Sequence, residues 1–179
     1  MVKGKAYKFD TLAIHSGGQG KNPCNAVNPP IFMSSTFEFN SLDHAEEVFS
    51  FASSDYVYTR GNNPTLRLFE NKMAVLEGGE GAVAFASGMA AISSVLLSLL
   101  KPGDEVIAHR TIYGSSYSVI TKTLPRYGVK YKFVDLRDLA DLQEQISLNT
   151  KVIYFETPAN PNLDIIDIAE VSSLAHARG

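Results

Sequence analysis

From residue 81 onward, short continuous apolar runs alternate with runs at helical spacing. The pattern predicts strands at 82–86, 105–109, 130–135 and 152–156, and helices at 88–100, 113–124, 139–146 and 168–177. Lys101-Pro102-Gly103-Asp104 and Gly128 punctuate the alternation. Strands and helices interleaved at this spacing imply βαβ units around a parallel sheet covered on both faces, an α/β fold. Upstream, Asn63 can cap a helix with Pro64 at its first position. Leu66, Phe69, Met73 and Leu76 lie on one face of that helix, and Gly78-Gly79 end it. A shorter helix is expected after Ser41, with Asp43, Glu46 and Glu47 near its positive end. The stretch up to about Asn40 carries Gly17-Gly18, Gly20, Pro23 and Pro29-Pro30 and few periodic apolar positions. It reads as an arm without helix or sheet of its own, lying on a neighbouring subunit or fraying as a terminus.

Composition narrows the class. The 179 residues carry 16 Lys+Arg and 19 Asp+Glu, a net charge of −3, with 45% hydrophobic and 20% charged residues. This excludes a disordered tail, a collagen-like fibre and a coiled coil. It also gives no basic footprint for nucleic acid. The single cysteine, Cys24, can form no internal disulfide, which fits a reducing, cytoplasmic setting. Residues 1–10 lack the apolar segment of a secretory signal. The apolar run at 89–100 is broken by Ser93, Ser94 and Ser98 and is shorter than the roughly 20 residues of a membrane span. A soluble protein without a membrane partner is expected. His15, His44, His109 and His176 show no metal spacing, so no metal site and no role is assigned to them.

In open α/β sheets, ligands bind beyond the carboxyl ends of the strands. At the first such junction, Ser87-Gly88-Met89 leads a strand into a helix, a natural phosphate cup or a tight structural turn. At the second, Tyr113 follows a strand, where its ring can stack on a planar ligand or pack under its own helix. At the third, Glu156-Thr157-Pro158-Ala159-Asn160-Pro161 stiffens a loop around a carboxylate and an amide. That is more rigidity than a plain connector needs. A fourth feature, Tyr58-Thr59-Arg60, sets a phenol and a guanidinium two residues apart, on one side of an extended segment. The pair suits a dianionic phosphate; otherwise Arg60 forms a surface ion pair.

These segments together resemble the Cys/Met-metabolism family of pyridoxal 5'-phosphate (PLP) enzymes, which includes methionine γ-lyase, cystathionine γ-synthase, cystathionine lyases and O-acetylhomoserine sulfhydrylase. The resemblance rests on Tyr58-x-Arg60-x-x-Asn63-Pro64-Thr65, Ala86-Ser87-Gly88-Met89-Ala90 and Glu156-Thr157-Pro158-Ala159-Asn160-Pro161, in this order. It runs from Thr11-Leu12-Ala13-Ile14-His15 through Asn28-Pro29-Pro30-Ile31 to Gly179. It implies the aspartate-aminotransferase-like (fold type I) large domain. Residues 1–62 would form an arm and inter-subunit segment, and 63–179 the first part of the PLP-binding domain.

By the match, Gly88 and Met89 would give backbone N–H groups to the cofactor phosphate, with Ser87 in the same turn. Tyr113 would stack on the pyridine ring and act as the catalytic acid/base group. Asn160 would bond the ring's 3-hydroxyl oxygen, with Glu156 close by. Tyr58 and Arg60 would reach the phosphate of the neighbouring subunit's cofactor, in a homotetramer of two dimers with shared active sites. A monomer would then be inactive.

The family's Schiff-base lysine, in a Ser-x-Thr-Lys stretch, and the aspartate that pairs with the pyridine nitrogen have no counterpart here. Lys101 lies in a turn, and Lys122 and Lys151 lack the motif. The resemblance therefore implies an N-terminal portion of a longer enzyme or a truncated, inactive product.

The implied substrate is a small amino acid of sulfur metabolism. Val57, apolar beside Tyr58, favours a substrate without a distal ammonium, such as methionine or O-acetylhomoserine. Ser115 stands where methionine γ-lyases often carry cysteine. Methionine γ-elimination is thereby set narrowly ahead of γ-replacement by a sulfhydrylase or cystathionine γ-synthase. Two other classes compete. A non-catalytic nucleotide-binding domain would need a glycine fingerprint that Ala86-Ser87-Gly88-Met89 lacks, and an interaction half-protein would not require Tyr58, Arg60, Tyr113 and Asn160.

Overall fold

In a computed structural model, which describes residues 6–18 and 22–178, the run Glu105–His109 forms β1, the centre of a three-stranded parallel sheet ordered β2-β1-β3. β2 is Lys130–Val134 and β3 is Thr150–Tyr154. β1 is buried along its whole length, as a continuous apolar run in a parallel sheet should be. Its side chains alternate between two cores. Val106 and Ala108 join Leu96, Ile112, Ile120, Leu124 and Val129 on one face, while Ile107 joins Val134, Leu136, Leu142, Ile166 and Val171 on the other. The first core is closed by α4 (Gly88–Leu99), α5 (Gly114–Ser118) and the turns after it. The second is closed by α6 (Leu139–Gln145) and α7 (Ile168–His176).

The chain divides into two units, Met1–Ala84 and Phe85–Gly179, and the sheet belongs to the second. The first unit is built on α3 (Pro64–Glu77), capped by the Asn63 side chain and ended by Gly78 in the left-handed region. It also holds α1 (Phe9–His15) and α2 (Leu42–Phe49), the latter capped by Ser41. The arm therefore has a helix of its own, contrary to expectation, and it lies on α3 of the same chain. Lys72 Nζ donates to the carbonyls of Ala13 and Ile14 at 2.9 and 3.3 Å, satisfying acceptors left free at the end of α1. Gly17 has φ +90°, and a Cβ there would stand 2.6 Å from the Leu68 carbonyl oxygen, so only glycine permits this approach. Gly20 lies outside the described residues.

Other expectations change in instructive ways. Residues 82–86 form no strand, because a strand is a pairing state and no described segment pairs with them. Val83 and Phe85 stay exposed, and the Ala84 N–H bonds the Glu70 carboxylate instead. Leu66 and Phe69, on the apolar face of α3, are exposed as well. The helix expected over 113–124 is α only through Ser118. It then widens to a π-type turn at Val119–Thr123 and tightens to a 3-10 turn at Leu124–Tyr127. Thr121 Oγ1 bonds back to the Tyr117 carbonyl at 2.8 Å and Pro125 has no N–H, two recognised disturbances of helical bonding. β3 begins two residues earlier than the apolar pattern implies, since Thr150 Oγ1 and Ser147 Oγ both donate to the Glu105 carboxylate at the strand's start. Glu156 thus lies past the ladder.

Candidate active site

Ser87 caps α4, its Oγ accepting the Ala90 N–H at 3.1 Å. The Gly88 and Met89 N–H groups have no intrahelical acceptor, as at any helix start, and nothing lies within 4 Å of where a Cβ on Gly88 would stand. The turn is a backbone cup open to an anion the size of a phosphate. Beyond the end of β1, Tyr113 is 48% exposed. Its N–H donates to both carboxylate oxygens of Glu156, each at 3.1 Å, so the residue just past β3 holds the start of α5. Tyr154, two residues earlier on β3, donates from its hydroxyl to Glu156 Oε1 at 3.0 Å and lies 3.0 Å from Ser116 Oγ. Ser116 Oγ is also 4.0 Å from the Met89 sulfur. Met89, Tyr113 and Glu156 are thereby brought together at one edge of the sheet.

Asn160 follows on the loop after β3. That loop is closed by Thr157 Oγ1, which accepts the Ile166 N–H at 3.0 Å, and by the Ala159 N–H donating to the Asp164 carbonyl at 2.9 Å. The exposed amide of Asn160 has no partner among the described residues. Asp164 anchors the loop to the sheet. It accepts Arg137 Nη1 at 2.6 Å and Asn162 Nδ2 at 2.7 Å, and His109 Nε2 approaches it at 3.4 Å. His109, to which the sequence assigned nothing, is fully buried. Its Nδ1 accepts the Leu136 N–H, which leaves Nε2 to carry the proton toward Asp164. Arg137 also binds Asp135 through Nη2 and Nε at 2.8 and 2.9 Å, and Arg110 reaches the same carboxylate at 2.8 Å. The hydrogen bonds from Arg137 outweigh desolvation and, with Arg110, hold the Asp135 carboxyl far below the usual carboxylate range.

Tyr58 and Arg60 lie in the first unit, exposed on the rim of an open pocket. Tyr58 forms an antiparallel bridge with Thr36, flanked by Phe37 N–H to Val57 O at 3.1 Å and Thr59 N–H to Ser35 O at 2.9 Å. A turn then closes at once, with the Gly61 N–H on the Tyr58 carbonyl. The two side chains therefore meet by a turn, not by strand alternation, with the Arg60 guanidinium 4.9 Å from the Tyr58 ring centroid. Asn63 explains why the motif continues as it does. It is buried, its Oδ1 accepts the Thr65 N–H at 2.8 Å, and its Nδ2 bonds Thr59 Oγ1 at 3.0 Å and Phe32 O at 3.2 Å. It fastens the Tyr58–Arg60 turn to α3.

Among the described residues no cluster of His, Cys, Asp and Glu could hold a metal, and no helix is long and apolar enough to cross a membrane. Over residues 10–179 the sequence matches the family of Cys/Met metabolism PLP-dependent enzymes. The chain belongs to this family. It is 45% identical to an L-methionine gamma-lyase of Pseudomonas deceptionensis, over 97% of this chain and 44% of that protein. It is 39% identical to an O-succinylhomoserine sulfhydrylase of Pseudomonas aeruginosa, over 96% of this chain and 42% of the relative. Its fold superposes with a TM-score of 0.87 on a putative O-acetylhomoserine (thiol)-lyase of Campylobacter jejuni, solved with a pyridoxyl-lysine phosphate. The identity there is 32%, over 97% of this chain and 42% of that one. The chain thus spans less than half the length of these relatives.

The cofactor of this family member is PLP and its fold is that of the fold type I PLP enzymes. The open cup at Gly88, the half-exposed Tyr113 and the exposed amide of Asn160, unpartnered among the described residues, fit the phosphate, ring and hydroxyl of such a group. The sequence missed Ser116, Tyr154, His109 and Asp164. Strand alternation two residues before Glu156 and helical spacing three residues after Tyr113 were the signals that could have found the first two.

Proposed function

We propose that this chain forms the phosphate- and ring-binding part of a carbon–sulfur lyase that removes methanethiol from methionine by γ-elimination. The observation that carries this reading is the gathering of Met89, Tyr113 and Glu156 at one sheet edge, in a family member with methionine γ-lyases among its relatives. Bound PLP supplies an electron sink for the carbanion formed when the α-proton leaves. Gly88, Met89 and Ser87 hold its phosphate, the Tyr113 ring supports its face, and Asn160 orients its ring oxygen with Glu156 alongside. After loss of the α- and then a β-proton, the Tyr113 hydroxyl serves as acid/base partner to the departing sulfur. Tyr58 and Arg60 complete the phosphate site of a neighbouring copy in a tetramer of two dimers, so that each site needs two chains. The apolar Val57 beside Tyr58 suits an uncharged substrate tail.

Ser115, in place of the thiol common in methionine γ-lyases, favours the second reading, γ-replacement on an activated homoserine. The deciding assay uses the full-length protein with PLP, given L-methionine alone or O-acetyl- or O-succinylhomoserine with sulfide. Methanethiol release from methionine is expected. Homocysteine formation without methanethiol would establish the second reading, and neither product would defeat both. The 179-residue chain alone, without the Schiff-base lysine, is expected to turn over none of these substrates.

A further inference from the structure

The bonds around Glu156 form a chain whose direction is fixed by its proton count. Tyr154 has one hydroxyl proton and gives it to Glu156 Oε1 at 3.0 Å, so at the 3.0 Å contact with Ser116 the serine must be the donor. Ser116 is fully buried, and with its one proton given to Tyr154 its 4.0 Å approach to the Met89 sulfur is a packing contact. Burial raises the Tyr154 phenol above its ordinary value, and the Glu156 carboxylate adds to this against the opposing Ser116 bond, so the phenol stays a donor at neutral pH. Glu156 then receives Tyr154 on one oxygen and the Tyr113 N–H on both, which fixes the plane of the carboxylate. A phenylalanine at 154 would fill the same place against the core of Leu96, Ile120 and Val106 with no hydroxyl to desolvate. The phenol is therefore not needed for packing.

We propose that Ser116 and Tyr154 are positioning residues that hold the Glu156 carboxylate and the Tyr113 ring in register with the Met89 end of the phosphate cup. The proposal rests on the functional reading above. It adds that the Glu156 carboxylate and the start of α5 are set by one buried polar chain, which meets the phosphate cup at the Ser116–Met89 contact. Without the phenol, Ser116 keeps only the sulfur as a neighbour, and Glu156 is held by the Tyr113 N–H alone, without the second anchor that fixes its carboxylate against β3.

The test uses the full-length protein loaded with PLP, carrying Tyr154→Phe, Ser116→Ala or the conservative Ser116→Thr, with Tyr131→Phe as a control phenol on β2. Tyr154→Phe should lower kcat about tenfold with KM little changed, since even misplacement below 1 Å is costly to a reacting geometry. It should also weaken the visible circular-dichroism band of the bound cofactor. Ser116→Ala should do the same to a smaller degree, Ser116→Thr should restore both, and Tyr131→Phe should change neither. Unchanged kcat and an unchanged band in both Tyr154→Phe and Ser116→Ala would overturn the proposal. Should those variants fail to fold, hydrogen exchange of the Tyr113 amide in the unmodified protein decides: slow exchange is expected, and exchange at the rate of an open loop would overturn it. A wild-type protein with no cofactor band would instead defeat the functional reading, which separates the two failures.

Discussion

At the scale of single residues, the phosphate role proposed for Arg60 rests on how the first unit holds it. Its guanidinium stacks on Tyr58 and takes part in none of the ion pairs among the described residues. Asn63 and Thr59 hold the turn that carries it, the latter also donating from Oγ1 to the Ser34 carbonyl at 2.6 Å. A pre-positioned guanidinium loses less freedom on binding a phosphate than a surface side chain does. In the full-length protein, Arg60→Ala should weaken PLP retention about tenfold or more, because hydrogen bonds to charged groups contribute roughly 1.5–3 kcal/mol. Arg60→Lys should lie between, keeping the charge but not the fork. Equilibrium dialysis of the cofactor measures this, and equal retention in all three proteins would remove Arg60 from the phosphate site.

At the scale of elements, the strands carried most of their own placement. Apolar runs found β1 without error because it is buried on both faces, and Asn63-Pro64 with Gly78 bounded α3 because caps are local chemistry. Residues 82–86 failed because pairing is not local, and β3 slipped because its first bonds are side-chain contacts to Glu105 that apolar spacing does not register. The candidate site divides the same way. Its cup, ring and amide were legible as residues at strand ends, whereas His109, Asp164, Ser116 and Tyr154 act through partners 27–55 positions away, which only the fold brings near.

The junctions between elements also carry a titration. Because the Asp135 carboxyl is depressed by Arg137 and Arg110, its ionised form stabilises the loops after β1 and β2. That contribution is complete above the ordinary carboxylate pKa of about 4 and is lost as pH falls below it. Glu105 contributes in the same sense: desolvation opposes its ionisation, but the bonds from Thr150, Lys132 and Ser147 outweigh it and hold its carboxyl low. The urea midpoint should therefore hold between pH 7 and pH 5 and drop between pH 5 and pH 2, and Asp135→Asn should show a smaller drop from a lower starting value. If Asp135→Asn kept the whole wild-type pH dependence, the Asp135–Arg137 pair would not be its source.

At the scale of the molecule, each unit keeps apolar surface that its own residues do not cover. In the first unit Leu66, Phe69 and Val75 of α3 stand 42%, 53% and 43% exposed. In the second, Val95, Leu97 and Leu99 of α4 are at least half exposed, as are Ile165 and Ile168 before and at the start of α7. Sheets of the parallel kind are ordinarily covered on both faces and protected at their edges, yet β3 is an outer strand here, with Leu148 beside it 95% exposed. Leu66 with Phe69, and Val95 with Leu99, share a helix face at i,i+3 and i,i+4 spacing, and exposed apolar faces of this sort mark association surfaces. Each side chain removed from water there contributes about 1.5–3 kcal/mol when fully buried, so a few from one helix face offset much of the entropic cost of pairing. The 179-residue chain studied alone should therefore associate reversibly with itself, its weight-average sedimentation coefficient rising with protein concentration across the micromolar range. Leu99→Glu on α4, one turn from Val95, should shift that curve to higher concentration, since an interface that buries this face would have to desolvate a carboxylate. A chain that sediments as a single monomeric species at every concentration, with or without that substitution, would show that these faces do not drive association.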